Sequence, residues 1–153
     1  MNSIQTRLAA AAAVALFGIG LASNAGARST VAWAGAPNPL TAGSCFSESY
    51  GRVTNTGCAA QEIWEVALPV DAAGAWIVTP NVTPTSNPST VRCMAYAVDQ
   101  NVDVFWTSAN AYATAASVPQ NLTLGVDVPS GGALYLGCFL QQGAAVNTIN
   151  WNQ

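Results

Sequence analysis

The heptapeptide LTLGVDV, residues 122–128, indicates most clearly which kind of fold this chain adopts. Its leucines and valines alternate with Thr123, Gly125 and Asp127, so apolar residues recur at every second position. Successive side chains of a β-strand point to opposite faces of the sheet, so a period of two creates one apolar face and one polar face. The sequence therefore predicts a strand that is buried on one side and exposed to solvent on the other.

Similar apolar runs recur on both sides of this strand. They cover residues 63–68, 75–82, 90–98, 102–107, 133–140 and 145–151. Clusters of turn-forming residues separate them, and segment 108–117 is compatible with either a turn of helix or a strand. Short strands joined by turns, without crossover helices, predict an all-β fold, an antiparallel two-sheet sandwich of about 7–8 short strands.

The first 27 residues have the layout of a secretory signal peptide. Arg7 precedes an apolar run at 8–22, and the small-residue triplet 25–27 follows. This is the pattern of a signal-peptide helix with cleavage between Ala27 and Arg28. An uncleaved anchor is the alternative, but a spanning helix needs about 20 apolar residues and this run is shorter. The mature protein is predicted to be secreted or periplasmic, with no membrane contact after cleavage.

The mature chain divides into two parts by composition. Residues 28–44 are rich in Ala, Gly, Pro and Ser, which predicts a flexible arm. Residues 45–153 contain all four cysteines and all of the predicted strands, so they are expected to form one β-sandwich domain.

An even number of cysteines in a small exported chain favours disulfide bonds. Cys93 and Cys138 each alternate with apolar residues, so both sulfurs are expected to face the core. We therefore predict a bond between Cys93 and Cys138, which leaves Cys45 to pair with Cys58. Four cysteines allow three connectivities, and the other two remain compatible with the sequence.

The charge composition excludes several classes of function. The chain has no histidine and no lysine, and after cleavage three arginines stand against seven carboxylates. Binding to nucleic acid or to anionic lipid requires a basic face, which this composition does not supply. Nucleophilic catalysis based on histidine or lysine is also excluded, and no cofactor is predicted. We assign no catalytic residue.

Carboxylates give two weaker signals. Glu62 and Glu65 are three positions apart, so on a strand they face opposite sides and form no catalytic pair. Asp99, Asn101 and Asp103 have the opening spacing of a calcium loop, but the glycine and the final glutamate of that loop are missing. A hairpin turn accounts for these three residues, and a metal site remains the weaker alternative.

The tryptophans suggest a binding site. Trp151 lies between Asn150 and Asn152 near the C-terminus, and Trp33 lies in the predicted arm. Exposed rings beside amides suit a site for sugars, because the ring packs on the sugar and the amides bond its hydroxyls. We therefore select these four residues as candidate ligand-binding residues.

The sequence favours a non-catalytic exported β-sandwich that binds a neutral ligand, a glycan or another cell-surface component. One alternative is a structural or adhesive subunit that self-associates through edge strands, because edges without lysine lack a common guard against pairing. The other is a small glycan hydrolase that uses two carboxylates.

The signal-peptide interpretation makes a direct prediction. The exported protein is expected to begin at Arg28, and replacement of Ala25 and Ala27 by leucine is expected to block cleavage, because signal peptidase requires small residues there. Intact-mass measurement of the secreted wild type and of the variant extracted from the membrane fraction checks this. A wild-type mass that includes residues 1–27 would show the prediction to be wrong.

Overall fold

The computed structural model describes residues 26–103 and 105–153. These residues form two antiparallel β-sheets, so the predicted two-sheet sandwich is confirmed. The predicted signal-peptide helix lies outside the described residues, apart from positions 26 and 27, and it stays a prediction. Among the described residues, no helix has the length and apolar character needed to cross a membrane.

The described residues form thirteen strands and three short 3-10 helices, which are joined by turns and loops. The strands are β1 (Arg28–Val31), β2 (Ala36–Asn38), β3 (Phe46–Ser49), β4 (Arg52–Asn55), β5 (Glu62–Leu68), β6 (Gly74–Thr83), β7 (Val91–Val98), β8 (Phe105–Thr107), β9 (Ala111–Tyr112), β10 (Gln120–Asn121), β11 (Leu124–Val128), β12 (Ala133–Leu140) and β13 (Ala145–Asn152). The 3-10 helices are Ala32–Ala34, Leu40–Cys45 and Pro88–Thr90.

The longer strands occupy the centres of the two sheets. In sheet A, β6 pairs with β13; β10 and β11 flank β6, β1 and β4 flank β13, and β3 pairs with β4. In sheet B the order is β2, β5, β12, β7, and both β8 and β9 pair with the outer side of β7. The strand count exceeds the predicted number because strands of two to four residues are too short to show periodicity. Segment 108–117 contributes only β9.

The core lies between the sheets and follows the alternation of the strands. In β11, Leu124, Val126 and Val128 are buried, whereas Gly125 and Asp127 are exposed. Leu122 is also buried, but it precedes the strand, and its N–H donates to the carbonyl of Pro80. The period of two in the heptapeptide therefore predicted the buried face correctly.

Both predicted disulfides are present, Cys45–Cys58 and Cys93–Cys138. Cys93 and Cys138 lie directly opposite each other on β7 and β12, with their Cα atoms 4.1 Å apart. Both residues are almost completely buried. This bond therefore links two neighbouring strands of sheet B on the side that faces the core.

Residues 28–44 do not form the flexible arm that their composition predicted. β1 pairs with β13, and β2 pairs with β5, so the segment contributes a strand to each sheet. Trp64 Nε1 donates a hydrogen bond of 2.8 Å to the carbonyl of Ala32, which is fully buried. Small residues permit this close packing: a Cβ on Gly35 would lie 2.2 Å from the backbone oxygen of Glu65. The domain therefore includes this segment.

The positions of the disulfides predict unequal effects on stability. Cys93 and Cys138 are 45 residues apart and Cys45 and Cys58 are 13 apart. Because a longer closed loop restricts the unfolded chain more, we expect the double alanine variant at 93 and 138 to lose about 4 kcal/mol, and that at 45 and 58 about 3 kcal/mol. Denaturant unfolding of both variants measures this. The reverse order would contradict it.

Candidate functional site

The outer face of sheet B carries a row of three aromatic rings. Tyr96 on β7 lies opposite Tyr135 on β12, and their ring centroids are 5.2 Å apart with planes 14° from parallel. Phe105 on β8 stacks on the other side of Tyr96 at 5.0 Å and is 57% exposed. In a three-ring offset stack the outer rings cover the middle one. The free ring surface therefore belongs mainly to Phe105 and Tyr135.

A depression lies beside this row at Gly137, which lacks a side chain on the outer face of β12. Gly137 is opposite Glu65 on β5 and Met94 on β7, so the surrounding side chains rise above it. The resulting cavity has a volume of about 210 Å³, and its walls include Tyr96 and Phe105. It combines a flat apolar wall with a polar side chain.

A second cavity of about 450 Å³ lies between β2 and β5, next to Tyr135. Asn38 and Glu65 line both cavities, and Asn38 Nδ2 donates a hydrogen bond of 3.0 Å to Glu65 Oε2. We call the two cavities and the rings of Tyr96, Tyr135 and Phe105 the sheet B groove. Asn38 is in place because residues 36–38 pair with β5 instead of forming a flexible arm.

Tyr96 interacts with the carboxylate of Glu65. Burial, and after it the neighbouring carboxylate of Glu65, raises the pKa of the Tyr96 hydroxyl far above its usual range. Burial disfavours the phenolate, and a neighbouring negative charge disfavours it further. Tyr96 is therefore a neutral hydroxyl beside Glu65 at physiological pH, and it can donate to an acceptor in the groove.

The groove combines ring surfaces with an amide and an acceptor. A carboxylate has about four lone-pair positions, so Glu65 retains acceptor capacity beyond the bond from Asn38. Glu62 faces the other side of β5, as three-residue spacing requires, and its carboxylate lies near the sulfurs of Cys45 and Cys58. Those sulfurs are bonded to each other, so this cluster offers no thiolate to a metal ion.

The four ligand-binding candidates from the sequence do not form one site with the groove. Trp151 is only 5% exposed, because odd-numbered residues of β13 face the core there, and its Nε1 donates to the carbonyl of Pro69. The expectation that its ring is open to solvent is therefore wrong. Asn150 and Asn152 are exposed on the outer face of sheet A. Trp33 is 49% exposed, and its role in binding stays a prediction.

The metal alternative falls in the turn between β7 and β8. Asp99 accepts a hydrogen bond of 2.9 Å from the N–H of Asp103 at Oδ1, and its carbonyl accepts from the N–H of Val102. Asn101 and Asp103 are exposed. These contacts are those of a tight turn stabilised by an aspartate, as the hairpin interpretation expects.

Sequence reasoning missed the residues of the groove, although a signal for them was present. Cys93 and Cys138 were assigned to the core face of their strands, which leaves Tyr96 and Tyr135 on the opposite face. Aromatic residues on the polar side of two strands form an exposed ring surface if those strands are neighbours. Strand order was the missing information, because β7 and β12 are separated in sequence by β8, β9, β10 and β11.

The comparison with known proteins rests on structure. No family model and no curated protein matches the chain. Its fold is similar to that of the C-terminal CBM6 of LamC, a marine laminarinase from Zobellia galactanivorans, with a TM-score of 0.53 and 10% identity over 84% of this chain and 100% of that one. A carbohydrate-binding module of Cellvibrio mixtus lichenase 5A, solved with cellotriose, has a TM-score of 0.46, 11% identity and coverages of 82% and 96%. The first likeness identifies the fold as the same kind of β-sandwich.

Proposed function

We propose that the mature chain is an exported, non-catalytic domain that binds a glycan in the sheet B groove. The observation that carries this proposal is the exposed row of rings beside the hydrogen-bonded pair of Asn38 and Glu65. Flat apolar surface and polar groups that can bond hydroxyls occur there within one groove.

The chemistry of a sugar matches these two kinds of surface. A pyranose ring has faces of C–H groups and a rim of hydroxyls, so it packs on an aromatic ring while its hydroxyls bond polar side chains. Phe105 and Tyr135 supply ring surface, and Asn38 and Glu65 supply donors and acceptors. The likeness of the fold to a CBM6 domain of a laminarinase supports the same assignment.

The groove favours binding over hydrolysis. A glycosidase places two carboxyl groups about 5–9.5 Å apart on either side of the scissile bond. Of the described residues that line the two cavities, Glu65 is the one with a carboxylate. A two-carboxylate mechanism would need a partner for Glu65 in this groove, so the hydrolase alternative receives less support.

The edges of the sheets favour binding over self-association. The longest edge strand in the described part of the chain is β11, with five residues, and β2 contains Pro37, which has no N–H to donate. Short edges and edge prolines are common ways to prevent strand pairing between proteins. The adhesive alternative therefore also receives less support.

Replacement of Phe105, the most exposed ring of the sheet B groove, tests the proposal. A glycan array on the mature protein identifies the bound glycan, and calorimetry measures its affinity. Phe105→Ala is expected to weaken binding roughly tenfold, because about 1.4 kcal/mol of stacking is lost. Tyr50→Asn removes an exposed ring from sheet A and is expected to have no effect, since asparagine tolerates the positive φ of that turn.

Two other results would count against this site. If Trp33→Ala weakens binding and Phe105→Ala does not, the site lies at Trp33, as the sequence alone suggested. If the protein releases reducing ends from the bound glycan and Glu65→Gln stops this release, the protein is a hydrolase.

Filling the depression provides a second test. A Cβ on Gly137 would meet Tyr96 Cε1 at 3.6 Å, so Gly137→Val is expected to fold and to reduce glycan binding by at least tenfold through loss of space. Gly125→Val is the matched control, since a Cβ there would meet Ile77 Cδ1 at 3.6 Å on sheet A. Equal affinity of the two variants, with both folded by circular dichroism, would contradict the proposed site.

A further inference from the structure

One end of the sheet B groove carries a cation. Arg92 on β7 lies directly between Phe139 on β12 and Tyr112 on β9. Its guanidinium carbon is 3.8 Å from the centroid of the Phe139 ring, and that ring is also a wall of the smaller cavity. Arg92 therefore adjoins the groove at the end away from Tyr135.

The guanidinium has no anionic partner among the described residues. The salt bridge that the described residues do form joins Arg28 to Asp71. Arg92 Nε is buried and has no hydrogen-bond acceptor, although the residue as a whole is half-buried. Covering a charged donor without an acceptor costs free energy, and stacking on a ring offsets only part of it. With Nε covered, the terminal NH₂ groups are the donors that a ligand can reach.

The charges of the groove are separated. Glu65 on β5 lies in register with Met94 on β7, with β12 between them. Arg92 is two residues from Met94 along β7. Strand spacing and rise put the Cα atoms of Glu65 and Arg92 about 12 Å apart, and among the described residues the two side chains form no ion pair. An acidic ligand group is therefore repelled near Glu65 and attracted near Arg92.

We propose that the sheet B groove selects a glycan with a carboxylate on the sugar unit at Arg92, while its neutral units lie over the rings and beside Asn38. This inference rests on the proposed function, and it replaces the neutral ligand expected from the sequence with a glycan that carries an acidic unit. The planar guanidinium of Arg92 lies over the Phe139 ring, and its fork of N–H groups matches the two oxygens of a carboxylate.

The site can be probed with single sugars, which avoids any assumption about the linkage of the glycan. The ¹⁵N-labelled mature chain is titrated with glucuronate, glucose and acetate, and the Nε–Hε signal of Arg92 is assigned from its absence in Arg92→Lys. We expect a saturable shift with glucuronate, none with glucose and a much weaker one with acetate. The glucuronate shift is expected to weaken at about 0.5 M salt, where charges are strongly screened.

Polysaccharides test the same site in context. The probes are laminarin and laminarin with a small fraction of its C6 hydroxymethyl groups oxidised to carboxylates. We expect wild type to bind the oxidised form roughly tenfold more tightly, as one well-placed charged contact of about 1.4 kcal/mol would give. Arg92→Gln is expected to remove that preference. Arg52→Gln, which removes an exposed arginine of sheet A, is expected to keep it.

The outcomes separate this inference from the proposed function. Equal shifts with acetate and glucuronate, no shift with glucuronate, or a preference that survives in Arg92→Gln would overturn the acidic-sugar site. Binding of unmodified laminarin that is weakened by Phe105→Ala would still support the glycan groove in that case. The converse result is a glucuronate shift of the Arg92 signal together with an affinity for the array glycan that Phe105→Ala leaves unchanged. That result would overturn the proposal that glycans bind over the rings and would support the site at Arg92.

Discussion

The pairing of β7 with β12 fixes the orientation of most side chains that form the groove. The bond between Cys93 and Cys138 joins the two strands on the face that packs into the core. Because side chains alternate, the residues between the buried ones must point outward, which places Tyr96 beside Tyr135 and Arg92 beside Phe139. A shift of one residue in either strand would bury that strand's outward side chains and expose its cysteine.

The groove also depends on places where a side chain is missing. Gly137 creates the depression in the centre of sheet B, and Gly35 lets residues 32–38 approach β5 closely enough for Asn38 to reach Glu65. Neither glycine has a positive φ. The concave shape therefore follows from local differences in side-chain volume on a regular sheet, and the framework beneath it remains an ordinary two-sheet core.

The low charge of the chain gives each ionised group in the groove a larger influence on ligand choice. Glu65 and Arg92 are the charged side chains that β5, β7 and β12 present on this face, and burial and the adjacent Glu65 raise the pKa of Tyr96, which is neutral. Rings and amides bind sugars with little dependence on salt, whereas a carboxylate at Arg92 would add a salt-dependent contact. Affinity and selectivity would therefore come from different parts of the groove.

The sequence by itself determined the longer strands and the side of each that is buried, and it favoured, without excluding the alternatives, the cysteine pairing that the structure shows. These properties depend on the alternation of neighbouring residues, which is local and visible in segments such as 122–128 and 133–140. Only the tertiary structure decided that β12 lies between β5 and β7, that residues 28–44 join both sheets, and that Trp151 is buried while Phe105 is exposed. Strand order depends on packing between residues far apart in the chain, and periodicity within one strand carries no information about which strand lies beside it.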